Sequence, residues 1–232
     1  MFSDIITYMT GNATFLCNFL THAGRHGIIE KKIIRKKGRK IMRDKRRCTW
    51  CNMKNPLYIA YHDEEWGIPN FDERYLYEML ILESFQAGLS WECVLNKRES
   101  FRKAYDDFDL DKVCSYDQEK EEALLNNKDI IRNRLKVRAS IHNSQIFKKI
   151  VEEKGSFYNY LRSFAEEKRI YEIGKTTNAL SDKISKDLKK RGMKFVGSTT
   201  IYAYLQAIGM IYSHDAGCYL YKNETVKEED KE

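Results

Sequence analysis

A carboxylate and an indole stand close together where the most apolar run of the sequence ends. Glu83 directly follows the apolar residues 75–82, and Trp91 comes after a glycine at position 88. Charged side chains are almost never buried unless they are paired or used. A carboxylate and an indole at one bend can hold a flat, electron-poor ring that donates hydrogen bonds. The alternative is a helix end with a solvated glutamate and a tryptophan in the core.

Cysteine and histidine residues near the two ends of the sequence form a second group with chemical potential. Cys48 and His62 lie near the beginning of this group, and His214 and Cys218 lie near the end. Two Cys and two His side chains make a closed tetrahedral zinc site, which is structural because it leaves no open position. The spacing of His214 and Cys218 would place both on one side of a helical turn. Cys51 is an alternative ligand because Cys48 and Cys51 form a zinc half-site, and ordinary core and surface roles also remain open.

A cluster of lysines and one arginine precedes residues 195–200, which contain a glycine at position 197. The cluster is formed by Lys183, Lys186, Lys189, Lys190, Arg191 and Lys194. A helix that begins behind a tight glycine turn offers free backbone N–H groups to a phosphate, and the lysines add positive charge. This pattern predicts contacts with nucleic acid, and its alternative is a solvated basic helix face.

The charge of the chain is unevenly distributed. The net charge is +7, but residues 1–47 hold 12 Lys/Arg and 3 Asp/Glu, a net +9, so residues 48–232 carry −2. Any binding of a polyanion by residues 48–232 must therefore come from a local patch. Residues 1–47 are predicted to be a basic N-terminal extension that is disordered or lies upstream of a natural start at Met42. Residues 223–232 are predicted to be a charged C-terminal tail.

Several classes of protein are excluded by composition. The six cysteines are too scattered for a disulfide framework, and no stretch is long and apolar enough to cross a membrane. The first 20 residues lack the basic start of a secretory signal, so we expect a cytoplasmic protein. We also expect a monomer. The length suits one domain, predicted at residues 48–222, which carries the chemistry.

The patterning predicts an all-α fold. Asp72 is expected to cap a helix at residues 73–86, and a further helix is expected to run from about residue 90 to 98 with an extension to 105. A long helix is predicted at residues 129–153, and the last helix is predicted to follow Gly197. Four more helix starts are predicted at Asp109, Asp117, Ser156 and Ser181. No segment alternates as a strand does, and no repeat of solenoid period is present.

These motifs together resemble one family, the 3-methyladenine DNA glycosylase I family of bacteria, a branch of the helix-hairpin-helix glycosylases. The resemblance covers about residues 48–221. It is carried by CTW (48–50), NPLYIAYHDEEWGIP (55–69), QAGLSW (86–91), IIRNR (130–134) and KKRGMKFVG (189–197). The chain departs from the family pattern at Phe85, at residues 127–129 and by an extra residue near Cys51.

The resemblance implies a role for each group of residues. It implies a structural Zn²⁺ on Cys48, His62, His214 and Cys218, and it therefore favours His62 over Cys51 as a ligand. The ion would join the two ends of the domain. It implies a base pocket formed by Tyr61, Trp91 and Glu83, with Glu83 as the catalytic residue. It also implies that residues 194–200 form the DNA-binding hairpin, with contacts from Lys190, Lys194, Gly197, Ser198 and Thr199.

The implied activity is the hydrolytic excision of 3-methyladenine from double-stranded alkylated DNA, which leaves an abasic site. Helix residues 201–210 contain no acid, and Lys194 is expected to be a phosphate contact, so we predict a monofunctional enzyme without lyase activity. A zinc-stabilised DNA-binding module without catalysis is the alternative, and it would not need the carboxylate beside the aromatic rings. A different alkylated base is a further alternative, because residue identity does not reveal pocket size.

Overall fold

The computed structural model describes residues 45–166 and 168–222, and the predictions for residues 1–44 and 223–232 lie outside these ranges. Ten α-helices fall within the described residues: α1 (Pro56–Glu64), α2 (Glu73–Gln86), α3 (Trp91–Leu95), α4 (Arg98–Ala104), α5 (Leu110–Cys114), α6 (Gln118–Asn126), α7 (Arg134–Lys154), α8 (Phe157–Arg162), α9 (Ala179–Lys190) and α10 (Ser198–Ala207). A 3₁₀ turn spans Asp106–Phe108. None of the described helices is both long and apolar enough to cross a bilayer.

Helix α2 lies at the centre of the described helices. Every residue from Tyr75 to Phe85 is buried, because α2 packs against α3, α7, α8 and α10. Its N-terminus is capped by Asp72, whose carboxylate accepts a hydrogen bond from the Tyr75 amide at 3.0 Å. Glu83 is therefore held on a rigid element rather than on a loop.

Most predicted helix starts are confirmed, and one is wrong. Asp109, Asp117 and Ser156 each cap a helix with the side chain, and Gly197 is the N-cap of α10. Ser181 was expected to cap α9, but Asn178 does so. The Asn178 side chain accepts from the Ser181 amide at 2.8 Å, and the Ser181 hydroxyl accepts from the Asn178 amide at 2.9 Å. This reciprocal capping box starts the helix three residues earlier than predicted.

Two helices differ in length from the prediction. The helix expected from residue 90 to 105 is divided into α3 and α4 at Asn96 and Lys97, where the backbone turns. The helix expected to begin at residue 129 begins instead at Arg134, as α7. The Asn133 side chain accepts a hydrogen bond from the Lys136 amide and so sets this start.

Two short strands interrupt the helical pattern. Strand β1 (Ile170–Tyr171) pairs in parallel with β2 (Ile211–Tyr212), in the register Ile170 with Ile211 and Tyr171 with Tyr212. The all-α prediction therefore describes the layout, which is mostly helical, but it missed this pair. Two-residue strands are too short for an alternating pattern to identify them. Strand β2 leads the chain directly towards His214.

A close backbone approach fixes the loop that follows α1. A Cβ atom on Gly209, at the end of α10, would lie 2.4 Å from the Ile68 carbonyl carbon and from the Pro69 nitrogen. Gly209 also has a φ of +79°, which favours glycine. The end of α10 and the loop after Trp66 are therefore held together beside the site described next.

Candidate functional site

Helices α1, α2, α3 and α10 contribute to the walls of a partly open cavity of about 290 Å³. Tyr61, Glu83 and Trp91, the three residues expected to bind the base, all line it. Further lining residues were not predicted: Trp50, Tyr58, Trp66, Gln86, Gly174, Lys175, Ala203, Gln206, Ser213 and Asp215. The abundance of aromatic residues in residues 50–66 was the available signal for part of this set, but a sequence does not show which rings turn towards one cavity.

Glu83 is a buried carboxyl group without a charged partner among the described residues. Its side chain is 3% exposed, and its Oε2 atom has no hydrogen-bond donor. Burial raises the pKa of Glu83 to about 8. Glu78, five residues earlier on the same helix, is equally buried but accepts from Arg98 at 2.7 Å and from Arg102 at 2.8 Å. The contrast excludes a solvated helix end and leaves the Glu83 carboxyl directed at the cavity.

Tyr61 and Trp91 form the aromatic wall next to Glu83. Their ring centroids are 5.3 Å apart, and the ring planes are inclined by 45°. The Trp91 Nε1 atom is buried without a hydrogen-bond partner in the described chain. Burial first, and the nearby Glu83 second, raise the pKa of Tyr61 well above its ordinary value, so its hydroxyl remains protonated. The wall therefore offers two ring faces and two polar hydrogens to a flat ligand.

The four predicted metal ligands lie together in the interior. Cys48, His62, His214 and Cys218 are all buried, and their donor atoms lie within 4.8 Å of one another. The Cys48 Sγ is 3.3 Å from His214 Nδ1, and the Cys218 Sγ is 3.5 Å from His62 Nε2. Two sulfur and two imidazole donors at this spacing can hold a metal ion. Without a cation, burial raises the pKa of the Cys48 thiol and lowers the pKa of His214 to about 4.

Surrounding groups fit the requirements of metal ligands. The His62 Nδ1 atom is 2.9 Å from Asp63, which itself pairs with Arg47 through two hydrogen bonds of 2.7 and 2.6 Å. A carboxylate in this position orients a ligating imidazole. Both sulfur atoms accept backbone N–H groups, Cys48 from Asp215 at 3.3 Å and Cys218 from Leu220 at 3.4 Å. The ligand atoms are therefore held in place by surrounding hydrogen bonds.

The structure decides between two ligand alternatives and corrects one expectation about the backbone. Cys51 lies outside the cluster, and its thiol contacts the Tyr58 carbonyl oxygen at 3.7 Å. The segment from His214 to Cys218 was expected to be a helical turn, but it follows β2 as a non-helical turn closed by a 2.8 Å hydrogen bond from the Cys218 amide to Asp215. A turn of this kind also brings residues four apart onto one side.

The metal cluster, which is the group of four predicted ligands Cys48, His62, His214 and Cys218, lies against one wall of the cavity. The Trp66 ring lies 4.8 Å from the His214 ring, and the Trp50 ring lies 5.2 Å from the His62 ring. Asp215, which also lines the cavity, accepts from the Thr49 amide at 2.7 Å. The arrangement of the two histidines therefore helps to position Trp50 and Trp66 in the cavity wall.

The predicted DNA-binding residues lie around the connection between α9 and α10. Lys190, Lys194 and Thr199 are exposed, and Gly197 is the N-cap of α10. The buried Asn143 side chain holds the connection, because it accepts from the Lys194 amide at 2.9 Å and donates to the Lys194 carbonyl at 2.8 Å. The Ser198 hydroxyl is used internally, since it donates to Asp182 at 2.5 Å. Ser198 therefore has its backbone N–H, rather than its hydroxyl, available for a phosphate.

Comparison with known proteins gives a consistent result. The methyladenine glycosylase family model matches residues 50–221. The DNA-3-methyladenine glycosylase 1 of Escherichia coli K12 is 42% identical over 182 residues, which cover 75% of this chain and 96% of that protein. The DNA-3-methyladenine glycosylase of Haemophilus influenzae is 38% identical, over 74% of this chain and 96% of that protein.

Solved structures agree with these relatives. A crystal structure of a 3-methyladenine DNA glycosylase I superposes with a TM-score of 0.73 and 40% identity, over 76% of this chain and all of the other. The Staphylococcus aureus enzyme, solved to explain 3-methyladenine recognition, superposes with a TM-score of 0.69 and 34% identity, over 72% of this chain and 92% of that one. Identity at this level over nearly the whole of each relative extends well beyond a shared fold, and the chain belongs to the methyladenine glycosylase family.

Proposed function

We propose that this protein excises 3-methyladenine from alkylated double-stranded DNA by hydrolysis and leaves an abasic site. One observation carries the proposal: a buried carboxyl group without a hydrogen-bond donor among the described residues lines the same cavity as an indole, in a member of this family. A cavity inside the protein can receive a base only after the nucleotide has left the duplex. That extrusion costs a few kcal/mol, and less for a damaged base.

Glu83 and Trp91 select the base by its charge. Adenine methylated at N3 is cationic while it is bonded to the sugar, so its ring is attracted to the Trp91 face, a contact of about 1–3 kcal/mol. The Glu83 carboxylate accepts a hydrogen bond from the exocyclic amino group. Burial raises the pKa of Glu83, and the positive charge of the ring favours the ionised carboxylate. Tyr61 closes the cavity on the other side.

The cationic charge also activates the leaving group. When the bond between the base and C1′ breaks, its electron pair moves to the base, which becomes neutral, and positive charge develops on the sugar. The Glu83 carboxylate and the DNA phosphates stabilise that charge. Water then attacks C1′ and loses its proton to solvent.

Cleavage without a lyase step is consistent with the groups around the cavity. A lyase step requires an unprotonated amine at C1′. Lys175 is the lysine in the described cavity lining, and its Nζ is engaged by Glu172 at 3.1 Å. Asp215 is likewise engaged by Thr49. We therefore infer a monofunctional hydrolase.

The DNA duplex is held by a helix-hairpin-helix formed by α9, residues 191–197 and α10. Free N–H groups at the start of α10 bind a phosphate, and Lys190 and Lys194 add charge to a domain that is slightly acidic. The metal is Zn²⁺ with a structural role, because four protein ligands leave no position for water.

Release of the free base is the decisive measurement. Methylated DNA is incubated with the protein, and the products are separated by chromatography. We expect free 3-methyladenine with the unchanged protein and a loss of at least 100-fold in rate with Glu83→Gln, at unchanged DNA affinity. Glu99→Gln is the matched control, because the Glu99 side chain is 71% exposed on α4. Another methylated base as the main product would change the assigned substrate.

The same reactions test the alternatives. Strand cleavage before treatment with alkali would contradict the monofunctional assignment. DNA binding without any base release would favour the zinc-stabilised binding module, and an unchanged rate in Glu83→Gln would remove Glu83 from the mechanism.

A further inference from the structure

A second groove, lined by other residues, lies away from the base cavity. It has a volume of about 950 Å³, against about 290 Å³ for the base cavity, and the two share no lining residue. The end of α8, the start of α9, the chain before β1 and the loop before α2 form its walls. A groove of this size admits a small ligand.

Polar atoms without partners are concentrated in these two places. Five buried side-chain nitrogen or oxygen atoms in the described residues lack a hydrogen bond. Two of them belong to Glu83 and Trp91 in the base cavity, and two are guanidinium nitrogens, Nη2 of Arg162 and Nε of Arg169, in the groove. A buried N–H without an acceptor costs about 1–3 kcal/mol, so a ligand with acceptor oxygens would offset that cost.

The charge of the groove selects an anion. Its described lining contains four cationic side chains, Arg162, Lys168, Arg169 and Lys183, and one acidic side chain, Glu166. Neither arginine has a carboxylate within salt-bridge distance among the described residues. Guanidinium groups match phosphate oxygens in geometry and charge.

Aromatic rings add a second preference. Phe71 and Tyr158 are stacked in the groove wall, with ring centroids 4.3 Å apart and planes inclined by 28°. The Arg162 guanidinium lies 5.9 Å from the Tyr158 ring, and the Arg169 guanidinium lies 4.4 Å from the Tyr212 ring. These contacts hold both guanidinium groups beside aromatic rings, and each group keeps one N–H without an acceptor among the described residues.

We propose that this groove binds the phosphate of a nucleotide, with Arg162 and Arg169 as the principal contacts and Lys183 at the rim. The phosphate comes from a DNA strand that extends beyond the hairpin or from a free nucleotide. The groove is a separate site from the hairpin, because Lys183 and Lys190 are seven residues apart on α9, or about 10 Å of helix. The binding does not depend on the proposed excision reaction.

The test uses the full chain and two probes. Deoxyadenosine 5′-monophosphate is titrated by calorimetry, and a 20-base-pair undamaged duplex is titrated by fluorescence anisotropy. We expect the double variant Arg162→Gln with Arg169→Gln to weaken at least one of these affinities by 10-fold or more. Lys183→Gln changes an exposed residue, so it tests the same site in a folded protein, with an expected loss of about 3-fold, an order-of-magnitude value for one exposed charge.

Two controls separate this site from the rest of the molecule. Arg74→Gln removes an arginine that is half exposed and paired with Asp107, and it should leave both affinities unchanged. Trp91→Ala alters the base cavity and should leave the affinity of the groove for the nucleotide unchanged. Loss of nucleotide affinity alone in the groove variants identifies a free nucleotide as the source, and loss of duplex affinity identifies DNA.

The proposal is overturned if neither probe responds to the groove variants. Release of 3-methyladenine by the same preparations is measured in parallel, so a failure of the groove and a failure of the excision reaction remain distinguishable.

Discussion

Glu83 makes the stability of the protein depend on pH. Its pKa is raised from 4.5 to about 8 by burial. Between these values the folded protein keeps a proton that the unfolded chain releases, so the free energy of unfolding decreases as the pH rises. Glu83→Gln cannot ionise and should become more stable than the unchanged protein as the pH rises from 5 to 8. The difference should reach at most about 5 kcal/mol, since one pKa unit corresponds to about 1.36 kcal/mol.

Denaturant unfolding at several pH values measures this difference. Glu99→Gln, on an exposed site, should show no such trend. If the difference in the free energy of unfolding between Glu83→Gln and the unchanged protein stays constant across this pH range, the pKa of Glu83 is not raised in the folded protein.

At the residue scale, the sequence indicates which side chains can carry out chemistry, but it does not show which other side chains surround them. Glu83, Tyr61 and Trp91 line one cavity, as expected from the resemblance. Trp50, Trp66 and Gln206 were missed, because the direction of a side chain in a loop or on a helix depends on tertiary packing. The internal use of the Ser198 hydroxyl was missed for the same reason, since its acceptor Asp182 belongs to a neighbouring helix.

Among the elements, α7 positions both the base cavity and the hairpin. Lys136 on α7 is 8% exposed, and its Nζ donates to the carbonyl oxygens of Phe85 at 2.8 Å and Ala87 at 2.5 Å. It thereby satisfies the last carbonyls of the helix that carries Glu83. Two turns further along α7, Asn143 accepts from the Lys194 amide in the connection between α9 and α10.

Lys136→Met should therefore lower the free energy of unfolding by about 1–3 kcal/mol, the cost of leaving buried acceptors unsatisfied. It should also lower the rate of base release, because the end of α2 loses its position. Lys149→Met, on an exposed site of the same helix, is the matched control. Unfolding and base release are measured on both variants, and equal values in the two would show that Lys136 does not position α2.

Helix boundaries show how far local signals reach. The starts at Asp72, Asp109, Asp117 and Ser156 were predictable, because a capping side chain bonds to its own helix. The division between α3 and α4 and the pairing of β1 with β2 were not predictable, because both involve distant segments. Asn96 accepts from Asn55, Lys97 donates to the Asp129 carbonyl, and β1 pairs with β2. The same holds for the groove at Arg162 and Arg169, which no local pattern indicated.

At the scale of the whole molecule, the metal cluster links the beginning and the end of the domain. Cys48 and His62 come from the segments around α1, whereas His214 and Cys218 follow β2. A cross-link over such a long stretch of chain stabilises a fold by about 4–5 kcal/mol, by analogy with a disulfide loop. The proposed ion should therefore stabilise the fold as a unit.

Cysteine substitutions test the ligand set and its mechanical role together. Cys218→Ser should abolish the bound zinc, lower the melting temperature and reduce base release, because Trp50 and Trp66 pack against the ligating histidines and also line the cavity. Cys51→Ser should keep one zinc ion per chain, since Cys51 lies outside the cluster and contacts the Tyr58 carbonyl. Elemental analysis, thermal unfolding and base release are measured on both variants. Loss of zinc in Cys51→Ser would move Cys51 into the ligand set, and full zinc occupancy in Cys218→Ser would remove Cys218 from it.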